Sequence, residues 1–380
     1  MNSLKRTLIF ISLSVVLLML GSTYCTTLVS LKLSSWNTKE SIIGLVHTAF
    51  SIGFVLGTLK TEFFIKRIGF IKSFIFFSLV YAVSILGGKF FPSILGWVAI
   101  RLLGGICLAA LYVILESFYL LISPDEKRGQ ILSIYMIALY LSQSASQFFY
   151  NVIPFESDSI FVLLSSLIFL SCLPILFVKN PSNYTATGSL ANSLKNPDIS
   201  WLGLHSSFAS GAILTALYSF LPLLAKKLSL SIPLAMSLMI LGGLSFQWPI
   251  GYLSDKLDRK KLMIAITLSI LIPCSIPFLI PISKLGCYCL IVLIGGFSFA
   301  LYPLAMTLVC ENKPKEDLTA LTGLIVLLYS FGMIFGPMLT PYFNMIQNQY
   351  GLYIQIILFS VLLTIHNLLG FIKKKAVASD

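Results

Sequence analysis

Two side chains in this 380-residue sequence can carry charge where the surroundings are apolar: Arg101 and Glu116, both inside the apolar run 93–122. Holding a charge at the centre of a membrane costs at least about 2.5 kcal/mol, so such a residue faces a protein interior and has a partner or a task. Arg101 can bind an anionic group of a solute, couple to a carboxylate, or bond backbone carbonyls of the first helix. Glu116 can take up and release a proton, or serve as an inner-gate acid against Arg67 or Arg128. At about 100° per residue, Arg101, Gly105, Leu108, Tyr112 and Tyr119 lie within about 40° of one helix meridian, and Glu116 within about 60°. One polar stripe therefore runs down this helix. Its two charges are separated by about 22 Å along the axis, too far to pair directly.

Uncharged polar residues gather in some apolar runs and avoid others. The first run carries Thr23, Tyr24, Cys25, Thr26 and Thr27; the fifth Tyr140, Gln143 and Gln147; the seventh Ser206, Ser207, Ser210, Thr215 and Tyr218. Gln247, Tyr302 and Tyr329 follow in the eighth, tenth and eleventh, whereas the third, sixth and ninth are almost wholly Phe, Ile, Leu and Val. A single Ser or Thr in such a helix usually bonds a neighbouring helix. The distribution points instead to a polar path for a small molecule. His47, His205 and His366 each stand apart in the sequence and read as satisfied interior or interfacial rings rather than a proton relay.

Motifs of other chemistries are missing. No H-E-x-x-H, G-x-S-x-G or G-x-x-x-x-G-K-[ST] occurs, which speaks against zinc hydrolysis, acyl transfer and nucleotide-driven work. The seven cysteines are scattered through apolar runs without zinc or redox spacing. We expect no metal, no cofactor and no enzyme activity. A membrane-embedded enzyme or a non-transporting receptor is the alternative from another class.

Composition says which elements must position these residues. Hydrophobic residues make up 57% and charged residues 11%, against roughly 45–50% and about 25% in soluble domains. A water-soluble fold is excluded. Runs of the length needed to cross a bilayer fall at about 7–33, 40–59, 70–88, 93–122, 129–152 and 159–178, then at about 201–225, 232–253, 262–282, 285–310, 318–343 and 351–372. The charged start and apolar run of Met1–Leu20 resemble a signal peptide, but the run continues to Leu33 and reads as an uncleaved first helix. The expected architecture is all-α and integral to the membrane, with twelve helices in two six-helix bundles, 1–178 and 201–380. The linker 179–200 between them is rich in Asn, Ser and Pro.

The net charge of +12 would, on a soluble chain, raise nucleic acid as a partner. Sorted by loop with the N-terminus inside, 19 of the 26 basic residues fall on the cytoplasmic side and six outside, leaving Arg101 within a helix. This bias predicts a multi-pass protein of the cytoplasmic membrane with both termini inside, and accounts for the charge without nucleic acid. Lipid, a small-molecule substrate and protons are the expected partners, and the chain is expected to act as a monomer.

Matching marks recur in the two halves. Gly251-Tyr-Leu-Ser-Asp255-Lys-Leu-Asp-Arg259-Lys260-Lys261 follows the eighth run, and Gly57-Thr-Leu59 with Lys66-Arg67-Ile-Gly69-Phe-Ile-Lys72 follows the second. Pro124-x-x-x-Arg128-Gly129 follows the fourth run, and Pro314-Lys-Glu-Asp follows the tenth. With these motifs and Arg101-Leu-Leu-Gly-Gly105, the chain resembles the major facilitator superfamily over nearly its whole length. Ile43–Gly57, Glu116-Ser117 and Tyr135-Met136 are similar to its small bacterial YcaD-like branch. The resemblance implies a secondary transporter working by alternating access, with facilitative or proton-coupled uptake of a sugar-like or anionic metabolite as an alternative to efflux. It also implies a cytoplasmic gate at Gly57, Arg67, Gly69, Lys72, Arg128, Gly251, Asp255, Arg259 and Lys260. In that gate, Asp255 would accept backbone N–H bonds at a helix N-terminus while Arg259 and Lys260 pair with carboxylates. Thr61 stands where the first-half signature has its Asp, and the fifth run lacks the G-x-x-x-G-P of many drug antiporters, which appears instead at Gly332–Pro337.

Overall fold

The structure is a computed structural model that describes residues 2–123, 128–179, 200–311, 313, 315–347 and 350–377. It is built from helices: α1 (Asn2–Ser35), α2 (Glu40–Ile68), α3 (Phe70–Phe90), α4 (Ile94–Ile122), α5 (Arg128–Ser146), α6 (Phe149–Val152), α7 (Ser159–Leu170), α8 (Cys172–Ile175), α9 (Trp201–Lys227), α10 (Ile232–Lys256), α11 (Arg259–Leu279), α12 (Lys284–Cys310), α13 (Lys315–Ile346) and α14 (Gly351–Val377). Among the described residues ten helices are long and apolar enough to cross a membrane, and Ser159–Ile175 is a shorter apolar stretch. Hydrocarbon supplies no hydrogen bonds, so a spanning segment must satisfy its own backbone, and the helix does this within one segment.

The fifth and sixth expected runs are each interrupted. After α5 the amides of Gln147 and Phe148 bond the carbonyls three residues back, those of Ser144 and Ala145, which tightens the turn. Between α7 and α8 the Ser171 hydroxyl donates to the Ile168 carbonyl, and Pro174 brings no backbone N–H to the next turn. Local capping starts several other helices. Ser93, Ser200 and Ser283 each accept the amide of a glycine three residues on, Gly96, Gly203 and Gly286. Gly69, at φ 81°, turns the chain directly from α2 into α3 in a conformation that L side chains rarely adopt.

The chain divides into two compact units, Met1–Ala186 with Ile232–Ser237, and Thr187–Ser231 with Leu238–Asp380. Residues 180–199, which hold most of the expected linker, lie outside the described residues. In the first unit α4 packs on α2 and α3, while α1 packs chiefly on α5 and α7. In the second, α9 packs on α12 and α13, and α11 on α14. Both units bring helices together at glycines. A Cβ on Gly105 would strike the Phe50 carbonyl, and one on Gly53 the Leu102 carbonyl; in the second unit Gly332 faces the Phe208 carbonyl and Gly211 that of Tyr329. Lipid tails are as apolar as leucine, so close backbone approach and van der Waals contact hold such helices together.

Lys32, one of the six basic residues sorted to the outer side, is buried in the last turns of α1. Its ammonium lies 3.6 Å from the Asp158 carboxylate, donates to the Glu156 carbonyl at 3.3 Å and sits 4.6 Å from the Phe161 ring centre. One cation thereby ties α1 to the start of α7. We expect Gly105→Leu and Gly332→Leu to lower the thermal unfolding midpoint of detergent-purified protein by several degrees, because overpacking costs about 1–3 kcal/mol. Gly251→Ala should leave the midpoint unchanged, since a Cβ at that position would meet no atom within 4 Å.

Candidate functional site

The buried polar cluster of the first unit is centred on Arg101. Its side chain is 3% exposed, and its guanidinium reaches three other helices. Nη2 donates to the Thr26 hydroxyl of α1 at 3.3 Å and lies 3.4 Å from His47 Nδ1 on α2. The Phe50 ring, one turn after His47, lies 4.1 Å from the guanidinium carbon. Cys25 of α1 is within hydrogen-bonding reach, and Tyr81 of α3 within electrostatic reach. His47 Nε2 in turn meets the Ser30 hydroxyl at 2.8 Å. Arg101 thus sits among neutral groups, and among the described residues no carboxylate pairs with it. Its Nε and the Tyr81 hydroxyl are buried without a hydrogen-bond partner.

Further along the same helix α4, the expected polar candidates converge. The Gln143 amide donates to the Tyr112 hydroxyl at 3.0 Å, and Tyr112 donates to Met19 Sδ at 3.4 Å. Thr27 donates to Gln147 Oε1 at 2.8 Å. Three helices, α1, α4 and α5, thereby share one network. Thr23, on α1 one turn before Thr27, is half-buried. Beyond Tyr112 the Tyr119 hydroxyl meets Ser12 at 2.8 Å, and its ring packs 4.9 Å from Tyr135. Glu116 lies within electrostatic reach of Tyr135, yet its side chain is exposed, and among the described residues it makes no ion pair. Arg67, offered as its partner, lies instead over the Phe63 ring of its own helix, while the side chain of Arg128 lies outside the described residues.

In the second unit the candidates are aromatic. Tyr302 of α12 and Tyr329 of α13 meet edge to face at 4.9 Å, and Tyr218 of α9 meets Phe299 of α12 at 6.2 Å. Tyr302 packs against the buried cluster of Leu204, Val309, Leu321, Leu324 and Ile325. Gln247 is half-buried on α10, and the next residue, Trp248, is exposed and stacks on Tyr252. His205 and His366, apart in sequence, bring their rings to 4.7 Å.

The motif between α10 and α11 is arranged differently from the expectation. Asp258, not Asp255, caps a helix: its Oδ1 accepts the amides of Lys260 at 2.8 Å and Lys261 at 3.2 Å. Asp255 is exposed in the last turn of α10. Arg259 does pair with a carboxylate, Glu311 at the end of α12, at 2.7 Å within the same unit. The Lys260 carbonyl accepts from the Asn367 amide at 2.8 Å. In the first-half motif Gly57 is a packing residue whose Cβ would strike the Ile106 carbonyl, and Thr61 donates to the Gly57 carbonyl at 2.6 Å. Lys66 pairs with Glu62 on the same helix, and Lys72 is exposed in the first turn of α3. Pro124–Lys127 lie outside the described residues.

Residues 11–337 match the family model of the Major Facilitator Superfamily. The chain belongs to this superfamily. YcaD of Escherichia fergusonii, an MFS-type transporter, is 29% identical over 357 residues, covering 92% of this chain and 91% of that protein. YcaD of Salmonella heidelberg is 28% identical over 342 residues, covering 89% and 88%. A mutant of the nucleoside transporter NupG shares the fold with a TM-score of 0.80 at 14% identity, over 96% of this chain and 99% of that chain. The D-xylose-proton symporter does so at 0.75 and 15%, over 95% and 97%. The chain is therefore a multi-pass membrane protein of a transporter family.

Sequence reasoning passed over Phe50 and Glu311, and it read His47 as a satisfied interior ring without naming Arg101 as its neighbour. The pairing could have been found by noting that an imidazole inside an apolar run needs a polar partner, as Arg101 does. Glu311 closes an apolar run and carried no such signal. Replacing the capping residue in Asp258→Ala should destabilise the protein by about 1 kcal/mol in thermal unfolding, whereas Asp255→Ala should change stability by less than about 0.5 kcal/mol.

Proposed function

We propose that this protein is a secondary transporter of the cytoplasmic membrane that moves a small polar solute by alternating access, driven by protons, with both termini in the cytoplasm. The observation that carries this reading is helix α4, which holds one sealed cation, Arg101, and one exposed acid, Glu116, that makes no ion pair among the described residues, on a polar stripe inside a membrane span. Ionisable groups inside a span mark substrate or ion pathways. An exposed carboxylate without a cationic partner is suited to exchange protons with water. Tyr112, Gln143, Thr27 and Gln147 supply hydroxyl and amide groups that can trade their mutual bonds for bonds to a solute.

Two bundles, 1–178 and 201–380, each able to move as a body, fit a cycle of this kind. The close glycine contacts within each unit favour rigid-body movement, because tightly packed helices do not deform independently. Arg259–Glu311 braces α11 against the end of α12 within the second unit, which leaves the exposed Asp255 as the carboxylate of this motif free for a gating role. A neutral polar solute fits the uncharged donors and acceptors around Tyr112 better than an anion does, because Arg101 is already enclosed. Lipid surrounds the protein, and a single chain suffices for the cycle. No catalytic constellation contributes to this reading.

The test is reconstitution into liposomes containing a pH-sensitive dye, challenged with a panel of nucleosides, sugars and organic acids. At least one solute should drive a change of internal pH in the wild type. Glu116→Gln should reduce that coupled change at least tenfold while retaining solute binding, and Asp255→Asn should slow transport without loss of expression. A panel that moves neither solute nor protons overturns the reading.

A further inference from the structure

The Arg101–His47 contact has a direction. A guanidinium can only donate, so the 3.4 Å approach of Nη2 requires a bare lone pair on His47 Nδ1. The ring proton then sits on Nε2 and points at the Ser30 hydroxyl, 2.8 Å away, while that hydroxyl donates to the Thr26 carbonyl at 3.2 Å. The chain Arg101, His47, Ser30, Thr26 therefore holds the imidazole neutral, in one tautomer, between α4, α2 and α1. His47 is 1% exposed and Phe50 covers the guanidinium, so the ligand best suited to this place is one that needs no room. A proton is such a ligand.

We propose that His47 is a proton-binding site whose occupancy excludes the present contact with Arg101, so that protonation releases the guanidinium and loosens α1 from the α2–α4 pair. This rests on the proton-driven reading above and names the buried group that takes the proton. A proton on Nδ1 would set two donors and two cations face to face in a site of low polarity. The contact must then break. The ionisable groups facing this cluster are Cys25 from α1, Tyr81 from α3 and Arg101 from α4, with Cys107 and Tyr112 beyond Tyr81. Among the described residues no carboxylate stands there to hold both cations together.

The site also carries a place for the displaced group. Arg101 Nε and the Tyr81 hydroxyl are both buried and unpartnered, an arrangement that native interiors seldom keep without a reason. A guanidinium turned from His47 toward Tyr81 satisfies both at once. The same turn gives up the Thr26 hydroxyl of α1. Helix α1 packs chiefly on α5 and α7, and the polar chain through Thr26 and Ser30 ties it to α2 and α4 at this level, apart from the Tyr112–Met19 and Tyr119–Ser12 contacts further along α4. The tight glycine contacts leave α2 and α4 fixed to each other.

His47 can be observed alone, because the chain has only three histidines. The full-length His205→Gln/His366→Gln protein, labelled with 15N-histidine and placed in lipid nanodiscs, gives one imidazole for NMR across a pH series. At alkaline pH the ring should carry its proton on Nε2, and acidification should add a second proton in one step. In Arg101→Gln that step should move to higher pH by at least about one unit, while Arg101→Lys, which keeps the cation, should stay near the wild type. A proton on Nδ1, a ring that stays neutral to about pH 4, or a step unmoved in Arg101→Gln would each overturn the proposal. If the double variant does not fold, wild-type protein with three signals, assigned against His47→Gln, gives the same readout. No transported solute is needed. A titrating His47 in protein that moves no solute would therefore keep this site and overturn only the transport reading.

Discussion

Hydrocarbon offers no hydrogen bonds, and nearly every feature of this protein answers to that fact. The backbone closes on itself in helices because a spanning strand or loop would leave amides and carbonyls bare. Side chains face the same demand. Each polar group in a span must find a neighbour on its own helix or on the next; Thr27 reaches Gln147 in the turn after α5, while Gln143 with Tyr112 and Thr364 with Thr267 are contacts between helices. Polar residues thus decide which faces of the helices turn toward one another. Phe, Leu and Ile, equally content against lipid or protein, cannot make that choice.

Where burial is deepest, the demand is met only in part. Arg101 has aromatic, hydroxyl and imidazole neighbours, yet one of its nitrogens and the nearby Tyr81 hydroxyl lack partners. A soluble protein would hydrate such atoms. Here the shortfall sits beside a ring that must stay neutral for the cluster to hold together. Structural and functional demands meet at one residue, and a transporter that must change state needs contacts that can be exchanged as well as contacts that endure. The Arg259–Glu311 pair and the Lys32 bridge are of the enduring kind, since each braces two helices of the same unit.

Glycine supplies the second half of the packing. Gly53, Gly57 and Gly105 let α2 and α4 approach to backbone contact, and Gly211, Gly332 and Gly336 do so for α9 and α13. The same device therefore serves both units, in keeping with the repeated loop motifs. Gly251 stands apart, with open space around it, although it heads the more complete of the two motifs. A motif position can be recognised by sequence while the physical role of its residue depends on what comes near it.

The sequence by itself determined the membrane class, most of the helical runs and the family, because hydrophobic length, charge distribution and loop motifs are local properties that survive without coordinates. It also located the charges on α4 and the polar residues of α1 and α5. It did not show which polar groups meet. Three histidines read as isolated, yet His47 bonds toward Arg101, 54 positions away in the chain, and His205 meets His366. The motif alone points to Asp255 as the acceptor of helix N-terminal amides, and the turn after α10 brings Asp258 to the free amides of α11 instead. Glu116 could be read as buried or as paired, and the rotation of α4 in its unit turned it to an exposed face. These outcomes depend on distances between helices and on the rotation of each about its axis, which are set by packing across the whole unit and cannot be read along a single helix.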